Sequence, residues 1–140
     1  MSRAEYLAGF FDGEGCIGAR LNGRGTGRTL SVQLTQNSSN ASEALFAELL
    51  DRFGGSISRQ VTPTMKVKLN WQLSGAQAAT VLRRMRPHLR IKKDQADIAL
   101  DWFDHREKPG RDAKGRVIGL SKEQRQIDHD VAVALTRLKG

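Results

Sequence analysis

Apolar and polar residues alternate along four segments of the chain, and this alternation predicts four β-strands. The longest alternation covers residues 65–73, where every second residue from Met65 to Leu73 is apolar. Residues 16–22 and 28–37 alternate in the same way on either side of a glycine-rich stretch, as in a hairpin. A weaker alternation around Ile57 precedes a turn at residues 62–64. The four segments therefore predict two hairpins, each with one apolar face.

Other segments repeat apolar residues at intervals of three and four, which predicts helices. These segments are residues 4–13, 40–53, 75–85 and 94–105, with a last helix that Ser121 caps. Asn40 and Glu43 form a possible capping box at the start of the second helix, and Gly54 ends it. Because each hairpin has an apolar face that needs covering, the order predicts a two-layer α+β domain.

The chain is expected to form one domain with an added C-terminal helix. Residues 1–105 are the predicted core, 106–120 a basic flexible linker, and 121–140 a helix that packs on the same domain. The predicted buried stripe of that last helix is Ile127, Val131, Ala134, Leu135 and Leu138.

The first helix has two distinct faces. Leu7, Phe10 and Phe11 form an apolar stripe that can enter a core. Gly9 and Gly13 lie four residues apart, so another face carries almost no side chain and allows close approach of a second backbone.

Two carboxylates follow at the end of this helix. Asp12 and Glu14 lie where the helix dipole is negative, which is unfavourable unless a cation also binds there. Gly15 suits the positive φ that often ends a helix. An ordinary amphipathic helix with a solvated acidic end would also fit this pattern.

The polar faces of the predicted strands carry amide, hydroxyl and basic side chains, and almost no acids or aromatics. Such side chains suit base edges in the major groove of double-stranded DNA, whereas single-strand binders use aromatic residues. A merely solvated sheet face is the alternative. The predicted DNA-binding residues are Arg20, Asn22, Arg28, Ser31, Gln33, Thr35, Ser58, Gln60, Lys66, Lys68 and Asn70.

Composition supports a polyanionic partner. The 140 residues include 23 Lys and Arg against 15 Asp and Glu, a formal net charge of +8. This excess favours nucleic acid over a membrane surface, although an unspecialised basic protein would share it. No apolar run is long enough to span a bilayer, and no signal peptide is visible. The single cysteine, Cys16, excludes an internal disulfide. A cytoplasmic or nucleoid location is the expectation.

The nine residues from Leu7 to Gly15, LAGFFDGEG, resemble the motif of the LAGLIDADG homing endonucleases. The mild departure is Glu14, where that family more often has Asp. The resemblance extends from about Tyr6 to Phe103. It implies the αββαββα fold, with an antiparallel β-saddle that binds a double-stranded DNA target site. The single motif copy resembles the homodimeric branch, which implies a dimer interface at Ala8, Gly9, Asp12 and Gly13.

The resemblance also implies metal-dependent hydrolysis of DNA phosphodiester bonds. Glu14 and the Gly13 carbonyl would bind Mg²⁺, with Mn²⁺ as a substitute and Ca²⁺ supporting binding without cleavage. Lys92 matches a basic residue near the attacking water, and Gln36 matches a polar residue of the same solvent network. Ordinary structural roles are the alternatives for both, and Asp12 is expected to be structural. No small-molecule cofactor is expected.

Three functional classes remain open at this point. The first is a site-specific homing endonuclease, encoded by an intron, an intein or a free-standing gene. The second is a non-cleaving relative that acts as an RNA-splicing maturase or a DNA-binding regulator. The third is a small basic DNA-binding protein that matches the motif by chance. An organelle-encoded chain would act in the organellar matrix.

Overall fold

Within the described residues, the helices and strands follow the predicted order. The computed structural model describes residues 3–21, 27–106, 113–114 and 120–138. The helices are α1 (Arg3–Glu14), α2 (Asn40–Phe53), α3 (Gly75–Met85), α4 (Lys93–His105) and α5 (Lys122–Leu138), with a 3-10 turn at Arg86–His88. The strands are β1 (Gly15–Leu21), β2 (Arg28–Asn37), β3 (Ser56–Val61) and β4 (Val67–Ser74). Among these described helices, none is long and apolar enough to cross a bilayer.

The four strands form one antiparallel sheet in the order β1-β2-β4-β3. The two hairpins therefore join through β2 and β4, where Leu34 pairs with Trp71 and Val32 with Leu73. Helices cover the face that carries these apolar residues, and Trp71, Leu34 and Val32 are fully buried there. This arrangement confirms the predicted two-layer α+β fold with its antiparallel sheet and additional C-terminal helices.

The start of α2 differs from the prediction by one residue. Ser39, and not Asn40, is the N-cap: its Oγ accepts a 3.0 Å hydrogen bond from the backbone N–H of Ser42. The Ser42 Oγ in turn accepts a 2.7 Å bond from the Ser39 N–H, which completes the capping box. The other end matches the prediction, because Gly54 ends α2 with a φ of 77° that favours glycine.

The fourth strand begins later than its alternation suggests. Met65 has a φ of 65° and is 82% exposed, so it belongs to the turn and not to the apolar face. Two backbone hydrogen bonds close this turn, from Met65 N to Thr62 O and from Thr62 N to Lys66 O. Turn geometry thus overrides an apolar residue that the pattern alone assigns to the core.

Helix α5 packs on the same domain, against α4 and β1. Its predicted cap is confirmed by a 3.1 Å hydrogen bond from Gln124 N to Ser121 Oγ. The buried stripe agrees with the prediction at Leu135 but differs elsewhere, because Ile127 and Leu138 are exposed whereas Gln124 and Asp128 are buried. A polar network replaces part of the expected apolar contact. Most of the predicted linker, residues 106–120, lies outside the described residues, so the proposed domain boundaries stay a prediction.

The polar network of α5 is centred on one buried carboxylate. Asp128 is 2% exposed, and its Oδ1 accepts hydrogen bonds from Trp102 Nε1 at 2.9 Å and Gln124 Nε2 at 2.7 Å. Its Oδ2 accepts a longer bond, 3.3 Å, from the backbone N–H of Arg28. These bonds join α5 to α4 and to the first residue of β2.

Candidate functional site

The candidate metal-binding end of α1 passes into β1 without an intervening loop. Glu14 is the last residue of α1 and Gly15 the first of β1. Gly15 does not have a positive φ, which corrects the prediction for this glycine. It is instead packed so closely under the Phe11 ring that a Cβ would collide with ring carbons. The tight junction leaves Gly13 and Glu14 exposed at the negative end of the helix.

Asp12 fastens this end of α1 to the segment before α4. Its carboxylate accepts hydrogen bonds from the backbone N–H groups of Arg90, Ile91 and Lys92, at 2.8, 3.2 and 3.0 Å. These three N–H groups lie just before α4, so no helical carbonyl accepts from them and the Asp12 carboxylate does so instead. The structure thus gives Asp12 a full set of partners within its own chain, in agreement with its predicted structural role.

The same contact brings Lys92 to the candidate site. The Lys92 Nζ donates a 2.7 Å hydrogen bond to the backbone carbonyl oxygen of Asp12, two residues before Glu14. Its ammonium group therefore neutralises part of the negative charge at the C-terminal end of α1. Within the described residues, no hydrogen bond or ion pair engages the Glu14 carboxylate, and no cluster of three His, Cys, Asp or Glu side chains could hold a metal.

Gln36 of β2 lies beside the middle of α1 and not beside its C-terminal end, where Glu14 and Lys92 lie. It pairs with Leu69 on the helix-covered side of the sheet and lines a groove beside Tyr6 and Phe10. In the described part of the chain, no hydrogen bond joins Gln36 to Glu14. The structure therefore brings Lys92, but not Gln36, into direct contact with the C-terminal turn of α1.

The predicted dimer-interface residues do not all share one face. A Cβ added to Gly9 or Gly13 would meet no atom within 4 Å, so both glycines border open space. Ala8 is 0% exposed and packs in the core, and Asp12 is half-buried under the segment it anchors. The exposed part of the predicted interface is thus the glycine face, formed by Gly9 and Gly13.

The sheet face opposite the helices is organised in rows that cross the strands. One row joins Thr35, Asn70 and Ser58, and the next joins Asn37, Lys68 and Gln60. In the first row, Thr35 Oγ1 donates a 3.0 Å hydrogen bond to Asn70 Oδ1. The described residues on this face include no acid and no aromatic ring, as the alternation predicts. It is called the polar face below.

Not all of the predicted DNA-binding residues are exposed on the polar face. Arg28 pairs with Leu21 and shares its side of the sheet with Leu30, and its Nη1 donates a 2.9 Å bond to the Ala19 carbonyl. Ser31 points to the polar face but is 2% exposed. Asn22 lies outside the described residues. Arg20 and Lys66 are exposed as predicted, Lys66 in the turn before β4.

The polar face also contains residues outside the predicted set, among them Gln72 and Asn37. Gln72 occupies a row with Gln33 and Cys16, and Asn37 faces Lys68. The strict alternation of β2 and β4 is sufficient to assign both. A third contribution could not be found that way: Ala132, Leu135 and Thr136 of α5 line a cavity at the polar face beside Cys16 and Arg20.

Comparison with known proteins identifies relatives of this fold. A family model described as a LAGLIDADG-like domain matches residues 1–83. The homing endonuclease I-TnaI is similar over 99% of this chain and 94% of that chain, with a TM-score of 0.69 and 16% identity. No curated protein sequence matches the chain.

Two complexes of the homing endonuclease I-CvuI are also similar. One contains the I-CreI target with 2 mM Mg and uncleaved DNA; it matches with a TM-score of 0.62 and 18% identity over 97% of this chain and 81% of that chain. The other contains the Sro1.3 target with 2 mM Ca; it matches with a TM-score of 0.58 and 20% identity over 73% of this chain and 66% of that chain. At these identities the likeness establishes the fold.

Proposed function

The chain belongs to the LAGLIDADG-like family, and we propose that it is a site-specific double-stranded DNA endonuclease that acts as a homodimer and requires a divalent metal ion. The observation that carries this proposal is the environment of Glu14. Its exposed carboxylate ends a helix whose glycine face is open, and it lies at the start of a strand that belongs to an acid-free polar face.

Glu14 and the Gly13 carbonyl are suited to a hard divalent cation. Carboxylate and carbonyl oxygens are preferred ligands of Mg²⁺, and the helix dipole favours a cation at this position. One copy offers a single carboxylate there, which suits a site completed by a second copy and by DNA phosphate oxygens. When bound, Mg²⁺ would supply Lewis-acid activation of water and stabilise the leaving oxygen. Mn²⁺ is expected to substitute.

The residues of the chain would orient the reaction around that ion. Lys92, held 2.7 Å from the Asp12 carbonyl oxygen, supplies a positive charge within reach of a phosphate at the end of α1. Gln36 lines a groove beside Phe10, about one helical turn before Glu14, and is proposed to order water there. The amide and basic side chains of the polar face would read base edges in the major groove, with Arg or Lys on guanine and Gln or Asn on adenine.

The relatives support the partner and the metal class. I-CvuI is described with its own DNA target in the presence of Ca, and with the uncleaved I-CreI target in the presence of Mg. A DNA duplex and a divalent ion are accordingly our proposals for this chain. A non-cleaving maturase or regulator is the second candidate, because a polar, basic face can bind nucleic acid without a functional Glu14.

Glu14→Gln distinguishes the two candidates. The substitution removes a hard anionic ligand without changing the glycine face or the polar face. We expect specific binding of a duplex selected from a randomised library to persist, while cleavage in Mg²⁺ falls by orders of magnitude. Ca²⁺ should support binding by the unsubstituted protein with little cleavage. Glu123→Gln, an exposed carboxylate on α5, is the matched control.

Two results would contradict the proposal. Full-rate cleavage by Glu14→Gln would exclude the assigned metal site. Tight specific binding by the unsubstituted protein, with no cleavage in Mg²⁺ or Mn²⁺, would favour the non-cleaving candidate.

A further inference from the structure

Helix α5 runs along the outer edge of β1, from the loop end of the first hairpin toward the end of α1. At its N-terminal half, Asp128 accepts a hydrogen bond from the Arg28 N–H, and Arg28 pairs with the last residue of β1. At its C-terminal half, Thr136 lines a cavity with Cys16, the second residue of β1. The helix therefore follows β1 along most of that strand and reaches the polar face at Ala132 and Thr136.

One side of α5 faces the same direction as the polar face. Ala132 and Thr136 mark that side, because both line the cavity beside Cys16, Gly18 and Arg20. Counting back at about 100° per residue, His129 and Arg125 lie within roughly 40° of the direction of Thr136. Both are exposed. We define Arg125, His129, Ala132 and Thr136 as the α5 edge.

The charges of α5 are sorted between its sides. The α5 edge contains Arg125 and His129 and no acid. The exposed acids Glu123 and Asp130 lie about 120–140° away around the helix, and Asp130 accepts a 2.9 Å hydrogen bond from Gln126 Nε2 there. The third acid of the helix, Asp128, is buried against Trp102. The side that continues the polar face is thus selectively free of negative charge.

We propose that the α5 edge contacts the phosphate backbone of a DNA duplex bound on the polar face. This inference rests on the proposed function and adds a second binding surface to it. Arg125 would pair with a phosphate, and the exposed Arg20 of β1 adds a second positive charge next to this edge. The Thr136 hydroxyl donates to the Ala132 carbonyl oxygen at 2.9 Å, so Thr136 contributes a small side chain that leaves room for the backbone and not a donor. Phosphate contacts carry no base information and contribute equally to all sequences.

The test compares Arg125→Ala with Arg137→Ala. Both remove one exposed arginine from α5, but Arg137 lies about 100° away from Thr136, on the side of Asp130. The dissociation constant is measured between 50 and 200 mM KCl on a duplex selected by the unsubstituted protein and on a scrambled duplex. Thermal unfolding of both variants establishes that each is folded.

We expect Arg125→Ala to make the plot of log association constant against log[KCl] less steep. The magnitude of its negative slope should fall by about 0.9, the value for one phosphate contact. Its loss of affinity at 50 mM should then exceed that at 200 mM by about threefold. The loss should be equal on both duplexes, so that the ratio of their affinities is unchanged. Arg137→Ala should retain the slope of the unsubstituted protein.

The outcomes separate this inference from the proposed function. An unchanged slope for Arg125→Ala, with specific binding by the unsubstituted protein, overturns the α5 contact alone. Equal slope changes for Arg125→Ala and Arg137→Ala overturn it too, because only net charge would then matter. If Arg125→Ala changes the ratio of affinities for the two duplexes, Arg125 contacts bases and the proposed phosphate contact is wrong. Failure of the unsubstituted protein to bind any duplex would overturn both proposals.

Discussion

Asp128→Ala tests how far the C-terminal helix depends on one buried carboxylate. The substitution leaves two buried donors, Trp102 Nε1 and Gln124 Nε2, without the Oδ1 atom that accepts them at 2.9 and 2.7 Å. A buried donor left without a partner costs about 1–3 kcal/mol, and the longer bond from the Arg28 N–H adds less. Alanine also relieves the desolvation of the carboxylate, so we expect a net loss of about 2–4 kcal/mol.

Urea unfolding followed by tryptophan fluorescence measures this loss directly, because Trp102 is one of two tryptophans and donates to Asp128. In a thermal unfolding experiment, the midpoint temperature should fall by roughly 6–15 °C for a domain of this size. Asp130→Ala is the matched control, since it removes an exposed carboxylate from the same helix. If the two variants agree within about 0.5 kcal/mol, the network does not stabilise the domain and the reasoning is wrong.

Three further predictions concern α1 and the packing of α4. Asp12→Ala should cost about 1–2 kcal/mol and accelerate hydrogen exchange at the amides of residues 90–92, because these donors lose their shared acceptor. Gly9→Leu should leave a folded chain that sediments as a monomer, provided that the open glycine face is the dimer interface; an unsubstituted monomer on DNA would contradict this. The Arg86 guanidinium holds the pKa of Asp97 below its usual value. The pair therefore stabilises the fold fully above the ordinary pKa and loses this contribution as pH falls through the lowered one. Arg86→Met should destabilise at neutral pH and converge with the unsubstituted protein in acid, as unfolding at a series of pH values would measure.

The sequence predicts elements that depend on local periodicity. The alternation of β2 and β4 assigns the polar face correctly, including Gln72 and Asn37, since a strand has only two sides. It also places Ser31 on that face, but side-chain exposure depends on neighbours that the alternation does not contain. Arg28 follows the same rule and falls on the helix-covered side, with Leu30.

Contacts between distant residues are not visible in the sequence. Asp12 meets residues 90–92 only because α4 starts beside the end of α1. Asp128 was missed for a related reason, because a stripe counted from apolar residues cannot include a buried carboxylate that Trp102 satisfies. Glycine is needed at position 15 because a Cβ there would collide with the Phe11 ring, and not because the backbone φ is positive.

The two edges of the sheet have different surroundings, and this has a consequence for self-association. Helix α5 borders β1, whereas in the described part of the chain β3 pairs only with β4 and leaves its outer edge open. Exposed strand edges can recruit other chains through backbone hydrogen bonds unless charge interrupts them. On β3 the residues that alternate on one side are Ile57, Arg59 and Val61, and Arg59 forms an ion pair with Glu43 of α2. This single arginine divides what would otherwise be an apolar row, so the solubility of the protein at high concentration should depend on it.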